Sequence, residues 1–364
     1  MLIQKFTTLF KDVTRQGTKI PKEEYLTHGK NIIIDQGQDI IAGYTNCEDG
    51  IFKKIPAIVF GDHTRIIKYV DTPFFLGADG VKVLKCTDKN ANYRYLYYAL
   101  KNAHIPNTGY NRHFKWLKEI TINYPDKNKQ NDIVNILDKL EYIIKIRSQE
   151  LDKFDELIKA RFVEMFGDPI NNSKNWKLIN IKKCCVDILG GGTPSKSHPE
   201  FFTGSVPWVT PKDMKENVIT DSKDHITYEA ISNSSAKLIP SNSVLMVIRS
   251  GILKHTLPVA INKNEVTINQ DMKAFVPTSE ISPIFLENYF IAISPDILSK
   301  VRSVTADNIN FKSFQKRKII LPPISLQNEF ANFVQQVDKS KVAVQKSLEE
   351  TQTLFASLMQ KYFS

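Results

Sequence analysis

The chain has 364 residues, 42% of them apolar and 24% charged, a globular make-up with room for two or three domains. Lysine and arginine number 49 against 39 acidic residues, a formal charge of +10, so a polyanionic partner is the natural expectation. No apolar run approaches the ~20 residues of a bilayer span. The N-terminal MLIQKFTTLFKDV lacks the apolar core and small-residue cleavage site of a secretory signal, so a cytoplasmic location is expected. Cys47, Cys86, Cys184 and Cys185 have no zinc-ligand spacing and form no disulfide framework; they read as free structural thiols.

Taken in chain order, residues 1–125 carry a charge of +6. Short β-rich runs such as Asn31–Ile34 and Ala57–Phe60 alternate with polar turns, and Asn92–Lys101 reads as a helix. Residues 126–166 are nearly neutral at −1 and contain QNDIVNILDKLEYIIKIRSQELDKFDELIKARFVEMF, from Gln130 to Phe166. Here Ile133, Leu137, Leu140, Ile144, Leu151, Phe154, Ile158 and Met165 recur at helical a/d spacing. Gly167 and Pro169 then supply a helix stop. Residues 167–325 return to +5, with strands expected at Val244–Ile248 and Lys318–Leu321 and a helix at Pro283–Ile293. Residues 326–364 are neutral and contain QNEFANFVQQVDKSKVAVQKSLEETQTLFASLMQKYF, Gln327 to Phe363, for which Ser325 offers an N-cap. Its seam is Phe330, Val334, Val337, Val344, Leu348, Phe355, Leu358 and Tyr362.

The two long segments are copies of one unit. Both have 37 residues, lie 197 apart, open with Gln-Asn and an acid, and follow a proline (Pro125, Pro322) by five residues. The match reaches upstream: Phe114-Lys115 aligns with Phe311-Lys312, Leu117 with Phe314, and Ile122 with Ile319. The expected fold is α+β: domains 1–125 and 167–325, each followed by a long helix, 126–166 and 326–364. Each helix would be ~55 Å long at 1.5 Å per residue. The second must return alongside the first for the seams to pack, giving an antiparallel coiled coil and a pseudo-twofold repeat. Basic domains at opposite ends of such a rod suit duplex DNA; a scaffold that merely spaces two domains is the plainer alternative. Arg147, Arg161, Lys341 and Thr351 interrupt the seams, either as snorkelling side chains or as contacts to helices of a partner.

The residues resemble the specificity subunits of type I restriction–modification systems over essentially the whole chain. The second domain shows GGGTPSK (Gly190 to Lys196), PEFFTGSVPWVTPKDM with Trp208, Thr210, Lys212 and Asp213, VLMVIRSG, INQDMKA and NINFKSFQKRKIILPPISLQNEF. The first shows IDQGQ, IAGY, VFGDHTR, FLGADG and GYNRHFKWLKEI. Each motif is weak alone; their order is specific. These domains are the family's variable parts, so the motifs mark a scaffold and give no target sequence. The resemblance implies target recognition domains that read two halves of a split double-stranded DNA site. It also implies helices that bind two methyltransferase subunits, with restriction subunits added for cleavage. No cofactor is implied for this chain; S-adenosylmethionine, ATP and Mg²⁺ would serve the partners.

Candidate DNA contacts follow from residue chemistry. Arginine suits guanine and glutamine or asparagine suits adenine, while lysine, hydroxyls and glycine-rich backbone suit phosphate. In the first domain these are Gln36, Gln38, Arg65, Arg112, His113 and Lys115; in the second, Gly191, Thr193, Ser195, Lys196, Lys212, Arg249, Lys254, Gln270, Asn310 and Lys312. On the helices, Gln130, Leu137, Ile144, Leu151, Gln327, Val334, Leu348 and Leu358 are the candidates for partner binding. The sequence has no GxxxxGK[ST] loop, no Asn-Pro-Pro-aromatic tetrad and no HExxH. Asp62-His63 offers too few groups for a metal, and Pro125-Asp126 reads as turn chemistry at a helix entrance. The rival readings are a stand-alone DNA-modifying or cleaving enzyme with an unrecognised active site, and a coiled-coil adaptor without DNA affinity.

Overall fold

A computed structural model describes residues 2–77, 79–303 and 307–364. Ala78 of the FLGADG motif lies outside the described residues. The chain divides into two compact units: Met1–Gln149 with Gln345–Ser364, and Glu150–Val344.

In unit 1, β1 (Ile3–Lys5) leads through α1 (Phe6–Leu9) to β2 (Phe10–Asp12), followed by β3 (Asn31–Ile34), β4 (Gly43–Thr45), β5 (Ala57–Gly61), β6 (Ile67–Val70), β7 (Phe74–Leu76) and β8 (Val81–Cys86). Helices α2 (Tyr93–Asn102) and α3 (Phe114–Leu117) precede β9 (Thr121–Asn123) and the long helix α4 (Lys127–Phe166). One sheet has the order β2-β8-β5-β6, another β4-β3-β7 with β3 and β7 parallel, and β1 pairs with β9. Every residue of β5 is buried, as a central strand reading Ala-Ile-Val-Phe-Gly requires. Asn92 caps α2, its side chain accepting from the N–H groups of Arg94 (2.9 Å) and Tyr95 (3.2 Å).

Unit 2 repeats the plan. It comprises β10 (Lys177–Asn180), α5 (Ile181–Cys184), β11 (Cys185–Gly190), β12 (Val206–Val209), β13 (Val218–Ile219), β14 (His225–Ile226), α6 (Tyr228–Ser232), β15 (Val244–Val247), β16 (Val259–Asn262), β17 (Thr267–Ile268) and β18 (Met272–Pro277). After these come α7 (Pro283–Ala292), α8 (Ser294–Leu298), β19 (Arg302–Ser303), β20 (Asp307–Asn308), α9 (Phe311–Phe314), β21 (Lys318–Leu321) and the long helix α10 (Ile324–Phe363). The order β11-β18-β15-β16-β13 matches the larger sheet of unit 1 with one strand added. The β14-β12-β17 sheet again holds a parallel pair, and β10 pairs with β21 as β1 does with β9. β8 and β18 share one burial pattern. The repeat seen in the long segments thus extends to the topology of both units.

The ends of the long helices follow local chemistry. Asp126 caps α4, its carboxylate accepting from Lys129 N–H at 3.0 Å, which is the turn chemistry expected at that site. Gly167, at φ +77°, takes the left-handed position that ends α4. Ser325 is not the cap of α10: the helix begins one residue earlier, and Pro323 O accepts from Leu326 and Gln327 N–H.

Each long helix contributes one half to each unit. In unit 2 the halves run antiparallel, with Lys341 2.7 Å from Asp155 and Arg161 3.3 Å from Glu329. Phe162 and Phe166 of α4, Phe285 of α7 and Phe330 of α10 form one aromatic cluster with ring centroids 4.9 to 5.8 Å apart. In unit 1, Tyr95 of α2 meets Phe363 at 5.1 Å and Tyr98 meets Phe355 at 6.1 Å. Seam residues are deeply buried where a helix also meets its sheet domain (Leu137, Ile158, Phe330, Val334) and half-buried toward the helix middles (Ile144, Leu151, Val344). The polar interruptions are answered within the chain: Arg161 and Lys341 by the carboxylates above, Thr351 by Ser347 O at 2.7 Å.

Candidate nucleic-acid interface

Unit 2 gathers several candidate residues around one cleft of ≈ 910 Å³. Its wall includes Lys196, Lys212 and Arg249, with Phe202, Trp208 and Thr210. Trp208 is fixed edge-on by its indole N–H, which donates to Gly192 O at 3.0 Å. Asp213 accepts from both the N–H and the hydroxyl of Thr210 at 2.8 Å, so the TPKD turn is rigid and Lys212 points outward, exposed. Arg249 Nε donates to Asp271 at 2.6 Å, which orients the guanidinium at the cleft wall. Lys254 sits 3.8 Å from Asp307. Thr193 donates its hydroxyl to the Gln270 side-chain carbonyl, joining GGGTPSK to INQDM. Ser195, Lys196, Gln270, Asn310 and Lys312 are exposed, and Asn310 also caps α9 by accepting from Ser313 N–H at 3.1 Å.

The expectation for Gly191 acquires a structural cause here, shared by its neighbour Gly192. A Cβ on Gly191 would stand 2.1 Å from Ile268 O, and one on Gly192 2.4 Å from the Ser235 backbone. These glycines serve close approach of the chain to itself, a requirement that needs no phosphate.

In unit 1 the candidates are split between surface and framework. Gln38, Arg112 and Lys115 are exposed. Gln36 is a loop bridge: its amide N–H₂ donates to Asp79 O at 3.2 Å and its carbonyl accepts from His63 N–H at 3.2 Å. Arg65, at φ +63°, donates to Ile105 O at 3.3 Å. The Gln36–Gln38 loop is anchored by buried Lys68, which donates to Asp39 O at 2.5 Å and lies 3.6 Å from the Asp35 carboxylate. Burial pulls the Lys68 ammonium pKa down, against the pull of Asp35 and Asp39.

His113 is corrected outright as a DNA contact. It is 0% exposed, and its ring nitrogens face Asp62 O at 3.0 Å and Thr108 Oγ1 at 3.4 Å. Asp62 in turn accepts from Phe114 N–H at 2.7 Å. The Asp62-His63 pair is therefore part of a scaffold that mounts the GYNRH loop. Arg112 lines a cavity of ≈ 670 Å³ with Arg15, Lys19, Lys82 and the carboxylates of Asp12, Asp62 and Asp79. Lys19 at 2.6 Å holds the Asp79 carboxyl below its ordinary pKa, with Arg112 and His63 adding to the positive field. No group of three or more potential metal ligands occurs among the described residues.

The family model for the type I restriction modification DNA specificity domain matches residues 8–154 and 173–352. The chain belongs to this family. It is similar to the type I restriction enzyme EcoR124I/EcoR124II specificity subunit of Escherichia coli, 33% identical over 327 residues, which is 84% of this chain and 79% of that protein. It also resembles the MjaIX specificity subunit of Methanocaldococcus jannaschii, 31% identical over 120 residues, 32% of this chain and 27% of that one. Among solved structures, a type I restriction–modification S subunit from M. genitalium has the same fold, with a TM-score of 0.63 at 16% identity over 100% of this chain and 96% of that one. Another, solved in work on complex assembly and conformational transition of the type I R-M system, gives 0.57 at 17% over 99% and 95%. As a DNA specificity subunit the chain is a recognition component and not a catalytic one.

The specificity subunit's helices also correct the sequence reading. Gln130 (1% exposed) and Gln327 (0%) are internal locks, unavailable to a partner. Gln130 donates to Pro125 O at 2.8 Å and accepts from Asn92 N–H at 3.0 Å. Gln327 donates to Pro322 O at 2.9 Å and Glu280 O at 3.1 Å and accepts from Ser282 N–H at 2.9 Å. Leu137, Val334 and Leu348 are buried in the seam, and Ile144, Leu151 and Leu358 are half-buried there. The apolar side chains open to a partner are others: Ile136, Tyr142, Ile143 and Leu354 in unit 1, and Leu157, Val163 and Val342 in unit 2. Their departure from strict a/d spacing is the signal that could have found them.

Proposed function

We propose that this specificity subunit recognises a bipartite double-stranded DNA target, one half per unit, and directs methyltransferase subunits, and restriction subunits where present, to it. The observation that carries this reading is the duplicated scaffold. Two units of one topology stand in one chain, and their corresponding loops bear different exposed side chains. A common frame with unlike tips suits two unlike half-sites on a duplex. Lys196, Lys212, Arg249, Lys254 and Lys312 in unit 2 and Arg112 and Lys115 in unit 1 are the phosphate- or base-facing cations of this reading, with Gln38, Gln270 and Asn310 as amide readers.

Two methyltransferase subunits dock on the exposed apolar side chains of the long helices. Burial of side chains such as Ile143, Leu157 and Val342 contributes roughly 1.5–3 kcal/mol each at such an interface. S-adenosylmethionine, ATP and Mg²⁺ belong to these partners. The test is single-molecule sequencing of methylated positions in cells carrying the chain and its methyltransferase. A two-part motif with a fixed gap is expected, with variants in one unit altering one half alone. A contiguous motif, or methylation by the purified chain with S-adenosylmethionine and no partner, overturns the reading.

A further inference from the structure

Tyr110 is the most exposed large hydrophobic side chain among the described residues, at 87%. It stands at the tip of the GYNRH loop and lies flat on the His63 ring, centroids 4.7 Å apart and planes 9° from parallel. Beneath this stack the loop is built to hold its shape. Gly109, at φ +76°, turns the chain. Asn107 accepts from Gly109 N–H at 3.2 Å, the Asn111 amide donates to Thr108 O, and buried His113 and Asp62 tie the base of the loop. A ring propped on one stacking partner above a tied-down loop, with its outer face in solvent, buries too little to serve folding alone.

Two further observations mark the place as a contact. His63 Nδ1 is buried and has no hydrogen-bond partner among the described residues. Such an orphan costs about 1–3 kcal/mol, and a turn needed only to close the chain gains nothing from it. Beside the loop is the cavity lined by Arg112 and Arg15, both exposed, while Lys19 and Lys82 pair off with Asp79 and Asp12 at 2.6 and 3.1 Å. The repeat sharpens the point. At the offset of 197 that aligns Phe114 with Phe311, the counterpart of Tyr110 is Asp307, which is buried and 3.8 Å from Lys254. The two units share the frame and differ at this tip.

We propose that Tyr110, propped on His63, is a specificity-determining contact of unit 1. Its open face meets a base pair of one half-site while Arg112 and Arg15 hold the adjoining phosphates. The inference rests on the bipartite-DNA reading above. An aromatic face gains energy against a thymine methyl or a partly unstacked base, and stacking contacts of this kind are worth roughly 1–3 kcal/mol. The hydroxyl is dispensable and the ring is not.

The experiment uses the full chain assembled with its methyltransferase partner. The probes are a duplex carrying the motif found by methylation sequencing, duplexes with single base-pair changes in either half, and a scrambled duplex of equal length. Affinities are measured over a range of salt. In Tyr110→Ala the preference for the intact motif over changes in one half falls about tenfold, while discrimination in the other half and the salt slope stay as in the parent. Tyr110→Phe stays within about threefold of the parent, and Arg112→Ala lowers the salt slope by about one and weakens motif and scrambled duplex alike. Parent-like discrimination in Tyr110→Ala with an unchanged melting temperature overturns the proposal. If Tyr110→Ala melts early, His63→Ala, which removes the prop and keeps the ring, decides by the same one-half loss. A parent complex that shows no motif preference sinks the bipartite-DNA reading instead.

Discussion

Replacing Gln327 by alanine removes three hydrogen bonds at a site with no solvent to replace them. Ser282 N–H, Pro322 O and Glu280 O lose their amide partner. A net of about 1 kcal/mol per bond, raised by desolvation of whichever groups stay orphaned, and a small cavity together give about 3–5 kcal/mol. Gln130→Ala removes two bonds at the matching place in unit 1, so about 2–3 kcal/mol is expected. Both are large against the 5–15 kcal/mol of a whole domain. Gln352→Ala, at an exposed site on α10, is the control and should stay within about 0.5 kcal/mol. Urea unfolding gives the sizes, and hydrogen–deuterium exchange gives the location. Protection should fall at the start of α7 in Gln327→Ala and at the start of α2 in Gln130→Ala. A cost below about 1 kcal/mol for Gln327→Ala, or a larger cost for Gln130→Ala, would refute the reasoning from orphaned groups.

Glu287, on α7, is buried with Oε1 unpartnered among the described residues; burial, then Asp338, hold its carboxyl pKa well above the ordinary value, against Lys263 and Lys341. The folded state therefore binds the proton more tightly than the unfolded state, and the stability it confers is lost as pH rises from about 4.5 toward the raised value. Glu287→Gln should be more stable than the parent at neutral pH and lose this part of the slope; an unchanged slope in thermal melts counts against it. Gly191→Ala should destabilise unit 2 by about 2 kcal/mol or more, because its Cβ meets the backbone carbonyls of Ile268 and Asn269, while Gly251→Ala, whose Cβ meets nothing within 4 Å among the described residues, should be neutral. Equal melting temperatures for the two would contradict this. In the assembled complex, Lys196→Ala, Lys212→Ala and Arg249→Ala should each lower the salt slope of DNA binding by about one, least for Arg249, already paired with Asp271; unchanged slopes would remove the cleft from the interface.

Periodicity made the long helices and their pairing legible, because a 3- and 4-residue apolar spacing with no proline or glycine has few other readings. The strands at Asn31, Ala57, Val244 and Lys318 were legible as short β-rich runs bounded by polar turns. The roles of single polar residues were not. His113 and Arg112 are neighbours in sequence, yet one is sealed under the loop and the other faces solvent, and only the path of the chain around Asp62 decides which. Gln130 and Gln327 announced themselves by the repeat, but a duplicated amide on a helix looks alike whether it serves a partner or the chain's own turn. The triple glycine suggested phosphate because that is where glycine loops are best known; the true constraint, the carbonyls of Ile268 and Asn269, lies nearly eighty residues away and leaves no local trace.

The division of the chain has a consequence for its birth on the ribosome. Unit 2 is one uninterrupted stretch, 150–344, and can close while the nascent polypeptide is still emerging. Unit 1 cannot, because 345–364 supplies part of its core: Met359 is buried with Leu137 and Tyr95. The sheet domain of unit 1 must therefore wait, half-clad, until 345–364 has been translated. A chain cut after residue 344 would keep a sound second reader and an unfinished first one, prey for proteases rather than a misdirected guide.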